Sequence, residues 1–264
     1  MVTPYVTAGQ LAELRSSLTA EEWQVLRDVQ AMRLATARDL HALHALRAPL
    51  NVRSFRRLLR RLVDQRLLAH LPERSIGGRR AGSAGWVHTL GPAGRRLLLP
   101  GDPGRRPWTP RPSWLNHAVA VSHLYVELRQ LEAVTDLKLR SFDAEPACWR
   151  TFTGRFGEHQ VLKPDAFVVT TQGGYQFVRF IEVDLATESP ATLVRKLTVY
   201  YRYYQSGIEQ LRHDLFPEVL WLVPTDARRA TFLGVVDHQP PEAWRLHRIA
   251  RYDQAGTVFA ERPP

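Results

Sequence analysis

The chain has 264 residues, 44% of them hydrophobic, a single cysteine and a formal net charge of +10. This length and apolar content suffice for one large core or two ordinary ones, while the lone Cys148 excludes an intramolecular disulfide framework and a Cys-clustered zinc site. Residues 1–112 hold 19 basic residues, all arginine, against 8 acids, and the remainder holds 17 against 18; the basic excess therefore belongs to an N-terminal module, whose usual large partner is nucleic acid.

The opening MVTPYVTAGQ lacks the charged-then-apolar order of a signal peptide. No window approaches a membrane-spanning apolar run, so the expectation is a cytoplasmic protein without a membrane partner. A first helix is expected over about 19–31. Thr19 is its cap, Glu22 completes a capping box, and Trp23, Leu26 and Val29 are at helical spacing. A second is expected over about 36–45 and a third over about 51–65.

In the third helix Phe55, Leu58, Leu59, Leu62 and Val63 make one apolar stripe. Arg53, Arg56, Arg57, Arg60 and Arg61 take the other side. An arginine-only face on the third helix of a compact unit suits entry into the DNA major groove, because guanidinium forks fit phosphates and guanine edges. The alternative is a solvated surface. Short strands follow at 67–71 and 86–90, joined by a Gly-rich tip with Arg74, Arg79 and Arg80, and a helix over 92–99 closes the module. This order resembles a winged helix-turn-helix, whose tip reaches an adjacent groove or phosphate. Arg79 and Arg80 thus join the arginines of the third helix as expected DNA contacts.

Residues 100–112 (PGDPGRRPWTPRP) are too rich in proline and glycine for a helix and read as a linker. The expected division is therefore 1–99, linker 100–112, and 113–264. The second module opens with a helix over about 113–134, on which His117 and Glu127 are either surface groups or members of a cleft. A strand over 137–142 leads into a loop through Glu145, Pro146 and Trp149. Helix 190–205 has Ser189 as cap, Pro190 in its first turn, and Lys196 and Tyr200 on one face. The run 219–223 (VLWLV) reads as a buried strand, and 233–236 and 248–252 as further short strands.

The main chemical signal lies in 163–204. Asp165 heads one apolar run, Glu182 and Asp184 end a second, and the Gly173-Gly174 turn between them would bring those ends together. Side-chain alternation puts Glu182 and Asp184 on one face. Three gathered carboxylates call for neutralising cations.

A helix, a strand opening on Pro-Asp, a strand ending in Glu-x-acid and a second helix resemble the PD-(D/E)XK nucleases. The resemblance implies an α+β chain, a winged helix-turn-helix followed by an α/β restriction-endonuclease-like domain. It also implies Mg²⁺ held by Asp165, Glu182 and Asp184. Asp184 stands where such enzymes carry lysine, and Lys196 on the next helix is the candidate replacement, completing a catalytic set of Asp165, Glu182, Asp184 and Lys196. With HAVAVSHLYVEL, KPDAF, FIEVDLATES and FPEVLWLVP in that order, about 20–235 resembles the replication-relaxation family of plasmid and mobile-element proteins. This implies double-stranded DNA as partner and Mg-dependent nicking as a candidate activity. Replication or mobilisation proteins are further candidate partners, and a homodimer is a candidate assembly. The alternative is a non-catalytic DNA-binding regulator or replication accessory, whose second domain serves dimerisation or docking.

Overall fold

The computed structural model describes residues 6–71, 86–99, 101 and 112–261. They form a mixed α+β chain in two compact units, Met1–Val126 and Glu127–Pro264. Among the described residues no helix is long and apolar enough to cross a membrane.

The first unit runs α1 (Ala8–Ser17), α2 (Ala20–Met32), β1 (Leu34–Thr36), α3 (Ala37–Ala45), α4 (Val52–Asp64), β2 (Leu68–His70), β3 (Val87–Leu90) and α5 (Pro92–Leu98), then the first half of α6 (Pro112–Val134). The helix starts follow from local chemistry. Thr7, Thr19, Thr36 and Asn51 each accept the backbone N–H three residues on, at 3.2, 3.3, 3.1 and 2.9 Å, satisfying a donor that the first turn leaves without a helical partner. Val25, Leu26 and Val29 of α2 are buried with Leu40 and Leu43 of α3 and Phe55, Leu59 and Leu62 of α4. The strands pair antiparallel in the order β1-β3-β2.

Two elements here show no apolar periodicity. α1 buries none of its residues, so its sequence signal is the Thr7–Gln10 capping box alone, and β1 is too short for alternation to show. The first half of α6 also belongs to this unit. Leu115 and Ala118 share a cluster with Leu34, Leu71 and Val87, and Ser122 Oγ donates to the Leu34 carbonyl at 2.7 Å. The two units therefore divide within α6. The expected tip over 72–85, with Arg74, Arg79 and Arg80, lies outside the described residues, as does nearly all of 100–112.

The second unit contains β4 (Lys138–Ala144), β5 (Arg150–Thr153), β6 (His159–Leu162), β7 (Ala166–Gln172), β8 (Tyr175–Val183), α7 (Pro190–Gln205) and α8 (Ile208–His213). It continues with β9 (Glu218–Val223), α9 (Asp226–Val236), α10 (Pro241–Trp244), β10 (His247–Arg251) and α11 (Ala255–Ala260). Its sheet has the order β10-β9-β8-β7-β4. β7 runs antiparallel to β4 and β8, and β8, β9 and β10 are parallel. Gly173 and Gly174, at φ 56° and 85°, make the two-residue β7–β8 turn, which needs positive φ at both positions. Leu193, Leu197, Tyr200 and Tyr203 of α7 and Phe232 of α9 cluster with Phe180 and Trp221, each large side chain contributing roughly 1.5–3 kcal/mol by burial.

Residues 233–236, expected as a strand, are instead the last turn of α9. Thr225 caps that helix, its Oγ accepting the Arg228 amide at 3.2 Å, and Phe232 and Val236 are its buried residues, one helical turn apart. The loop expected through Glu145 and Trp149 leads into a separate hairpin, β5–β6, with Arg150 opposite Leu162 and Thr153 opposite His159.

Candidate functional site

Asp165 and Glu182 come from neighbouring strands. Beyond the last β7–β8 pair, Ala166 with Ile181, the Asp165 amide donates to the Ile181 carbonyl at 3.0 Å and the Val183 amide donates to Asp165 Oδ2 at 2.7 Å. The carboxylate thus takes an acceptor position at the strand end, and Asp165 is 7% exposed. Glu182 is 2% exposed. Its Oε2 accepts from Lys196 Nζ at 2.9 Å and its Oε1 from the Tyr200 hydroxyl at 2.7 Å. Lys196 and Tyr200 reach it together because residues four apart share a helix face. A second carboxylate, Glu188 in the loop before α7, meets the same ammonium at 2.9 Å.

Burial pushes the Glu182 carboxyl up to about 7 from the usual 4.5; Lys196 pulls it down and the Asp165 charge raises it further. Burial acts against the Lys196 ammonium, but Glu182, Asp165 and Glu188 outweigh it, so the group stays charged well above the ordinary lysine range. Tyr200 is held un-ionised, first by burial and then by Glu182. A carboxylate poised near neutrality beside a fixed cation is suited to proton transfer or to ion binding coupled to proton release.

Asp184 goes elsewhere. Its amide continues the sheet by donating to the Leu222 carbonyl at 3.0 Å. Its Oδ1 accepts the Ala186 amide at 2.8 Å, and its Oδ2 accepts from Arg228 Nε at 2.5 Å. Among the described residues no group of three or more His, Cys, Asp or Glu side chains gathers to hold a metal ion. Of the three acids expected to share an ion, Asp184 is thus bonded to Arg228, Glu182 to Lys196 and Tyr200, and Asp165 to the Val183 amide.

Sequence reasoning did not find a second buried cluster. Glu209, fully buried, accepts at Oε1 from Arg150 Nε at 3.0 Å and from the Tyr203 hydroxyl at 2.5 Å, while His213 Nε2 lies 3.4 Å from its Oε2. The Arg150 guanidinium also stacks 4.6 Å from the Phe167 ring centre. Cys148 is buried, and its Sγ donates to the Pro164 carbonyl at 2.9 Å; burial, then Asp165, keeps the thiol from ionising. His117 packs against Trp114 at 6.2 Å in the first unit, and Glu127 is half-buried in the second.

In the first unit Arg53, Arg56, Arg57, Arg60 and Arg61 are all exposed along α4, opposite its buried Phe55, Leu59 and Leu62. Arg61 pairs with Glu22, the acid whose other oxygen accepts the Thr19 amide at 3.0 Å in the capping box of α2. Arg57 donates to Ser54 Oγ at 2.9 Å.

The family model described as Replication-relaxation matches residues 26–219. The chain belongs to the Replication-relaxation family. No curated protein and no solved structure matches it. The Replication-relaxation match begins within α2 and ends in β9, so it takes in α4, Asp165, Glu182, Asp184 and Lys196 and stops short of Arg228. Membership suggests a role in plasmid or mobile-element replication or relaxation.

Proposed function

We propose that this Replication-relaxation protein binds double-stranded DNA through its first unit, a winged helix-turn-helix with α4 as recognition helix, and handles it with a second, PD-(D/E)XK-like unit. One observation carries the second half of the reading: Lys196 donates to Glu182 at 2.9 Å from the helix that follows the acid-bearing strands. That contact supports Lys196 as the cation for a nuclease-like site whose usual lysine position holds Asp184. The exposed arginine face of α4 supports the first half, since sequence-independent affinity for DNA comes mainly from cations set against phosphates.

Magnesium typically binds through one or two carboxylates and keeps several waters, so Asp165 and Glu182 fit it as an acid pair without Asp184. When bound, such an ion polarises a phosphate and lowers the pKa of water. The chain's own groups would do the rest. Tyr200 and Lys196 orient Glu182, the Val183 amide orients Asp165, and Lys196 stabilises charge on a scissile phosphate. In a supercoiled-plasmid assay with Mg²⁺ or Mn²⁺ the wild type is expected to nick and Asp165→Ala to fail. No nicking by the wild type, or equal nicking by both, removes the catalytic part.

A second reading is favoured by the Asp184–Arg228 pair, which leaves the site with fewer acids than the nuclease pattern supplies. Here the protein is a DNA-binding regulator or replication accessory whose second unit docks a partner or a second copy. It predicts unchanged DNA affinity on chelation of divalent metal and no cleavage.

A further inference from the structure

The β5–β6 hairpin carries an exposed aromatic residue at its tip, and its base runs into the segment that holds Asp165. Its roots are fixed: Phe152 and Leu162 are buried in the core, and Phe152 packs 5.1 Å from Tyr203 of α7. Its tip is ordered by its own bonds. The Gly154 amide donates to the Glu158 carbonyl at 2.8 Å, the Gly157 amide to the Gly154 carbonyl at 3.0 Å, and the Phe156 amide to Glu158 Oε2 at 3.0 Å. Gly157, at φ 83°, takes the left-handed conformation that a side chain would oppose. On this rigid turn Phe156 is 88% exposed.

A lone exposed apolar residue is ordinary. Phe156 differs in its surroundings. Arg155 next to it and His159 on the returning strand are exposed, and α7, which packs on β6, adds exposed Arg195 and Arg202, seven residues apart and so on one face. The second unit otherwise lies in a part of the chain with no basic excess, so this concentration of cations is local. The hairpin also leads straight to the acids. β6 ends at Leu162 and Asp165 follows three residues later, while Cys148, just before β5, is bonded to the Pro164 carbonyl at 2.9 Å. Lys163 lies between, its Nζ 4.7 Å from the Trp149 ring centre.

We propose that the β5–β6 hairpin is a DNA wedge, with Phe156 stacking on an unpaired base while Arg155, Arg195 and Arg202 take the phosphates of the strand that passes to Asp165 and Glu182. An aromatic face suits any base, since every base offers a π-surface, and arginines tracking the backbone add sequence-tolerant affinity. The inference rests on the DNA-handling reading of the second unit.

The test uses the full chain with two probes, an intact random-sequence duplex and the same duplex carrying a short single-stranded gap. The wild type is expected to prefer the gapped probe. Phe156→Ala should weaken gapped-probe binding about 5- to 150-fold, the range for losing one base–aromatic stack, with little change on the intact duplex, and Phe156→Trp should retain the preference. Arg155→Ala with Arg202→Ala should flatten the salt dependence by about one unit of log–log slope for each phosphate no longer neutralised. Gapped-probe affinity unchanged in Phe156→Ala overturns the wedge while leaving DNA binding by α4 intact. Absence of wild-type binding to either probe overturns the DNA reading and the wedge together. Because Phe156 is exposed, an unchanged thermal melt for its variants confirms that the effect is on binding.

Discussion

Arg228 Nε donates to Asp184 Oδ2 at 2.5 Å, with 12% of the arginine side chain and 1% of the aspartate exposed. The same guanidinium donates through Nη2 to the Glu188 carbonyl at 2.8 Å, tying the start of α9 to the loop that leads into α7. Asp184 and Arg228 thus hold this part of the scaffold together.

Removing Arg228 leaves a buried carboxylate uncompensated. Arg228→Ala is expected to lower stability by about 3–5 kcal/mol, the range for breaking a buried pair, and Asp184→Asn, which keeps an acceptor, by about 1–3 kcal/mol. Urea denaturation at pH 7 measures both. A loss below about 1 kcal/mol for Arg228→Ala would show the pair to be energetically slack.

On the proposed reading, a metal titration tests the acids one by one. Titration of Mn²⁺ into the protein is expected to show binding that Asp165→Asn and Glu182→Gln each abolish and that folded Asp184→Asn retains. Loss of binding in all three variants would place Asp184 in the ligand set with the other two acids.

Glu182 makes stability depend on pH in a definite sense. Its folded pKa of about 7 lies above the ordinary 4.5, so the folded state holds a proton that the unfolded state has released. This contribution is fully present below about pH 4.5 and is lost as pH rises through about 7. Glu182→Gln should remove that part of the slope in a series of urea midpoints from pH 4.5 to 8. Lys196→Met, by deleting the cation that pulls the carboxyl down, should move the Glu182 transition above pH 7, as read by carboxyl chemical shifts.

On α4, Arg57→Ala with Arg60→Ala is expected to weaken duplex binding and reduce the log–log salt slope by about 2, close to 0.9 for each phosphate contact. Fluorescence anisotropy across a range of salt concentrations measures this. Unchanged affinity at moderate salt would take the helix out of the interface.

Periodicity made much of the chain legible. The stripe of Phe55, Leu59 and Leu62, the caps Thr19, Thr36 and Ser189, the Gly173-Gly174 turn and the VLWLV strand are all local patterns, and each marks an element of the fold. The four-residue spacing of Lys196 and Tyr200 likewise anticipated two groups that meet at Glu182. By contrast, α1 buries nothing and β1 spans three residues, so neither had an apolar periodicity to read, and α1 offered only its Thr7–Gln10 capping box. Strand periodicity put Glu182 and Asp184 on one face but could not say which cation each would meet.

By itself, the sequence determined the basic first module, the arginine face of α4, the strand ends that carry Asp165 and Glu182, and the resemblance to the family the chain belongs to. Only the tertiary structure decided that Asp184 meets Arg228, 44 residues on, that Arg150 meets Glu209, 59 residues on, and that Phe156 stands at the tip of a rooted hairpin. The reason is physical. A cap or an apolar stripe is a contact within a few residues, whereas the partner of a buried charge is chosen by whichever cation the packed sheet and helices bring within reach, and nothing in local spacing encodes that choice.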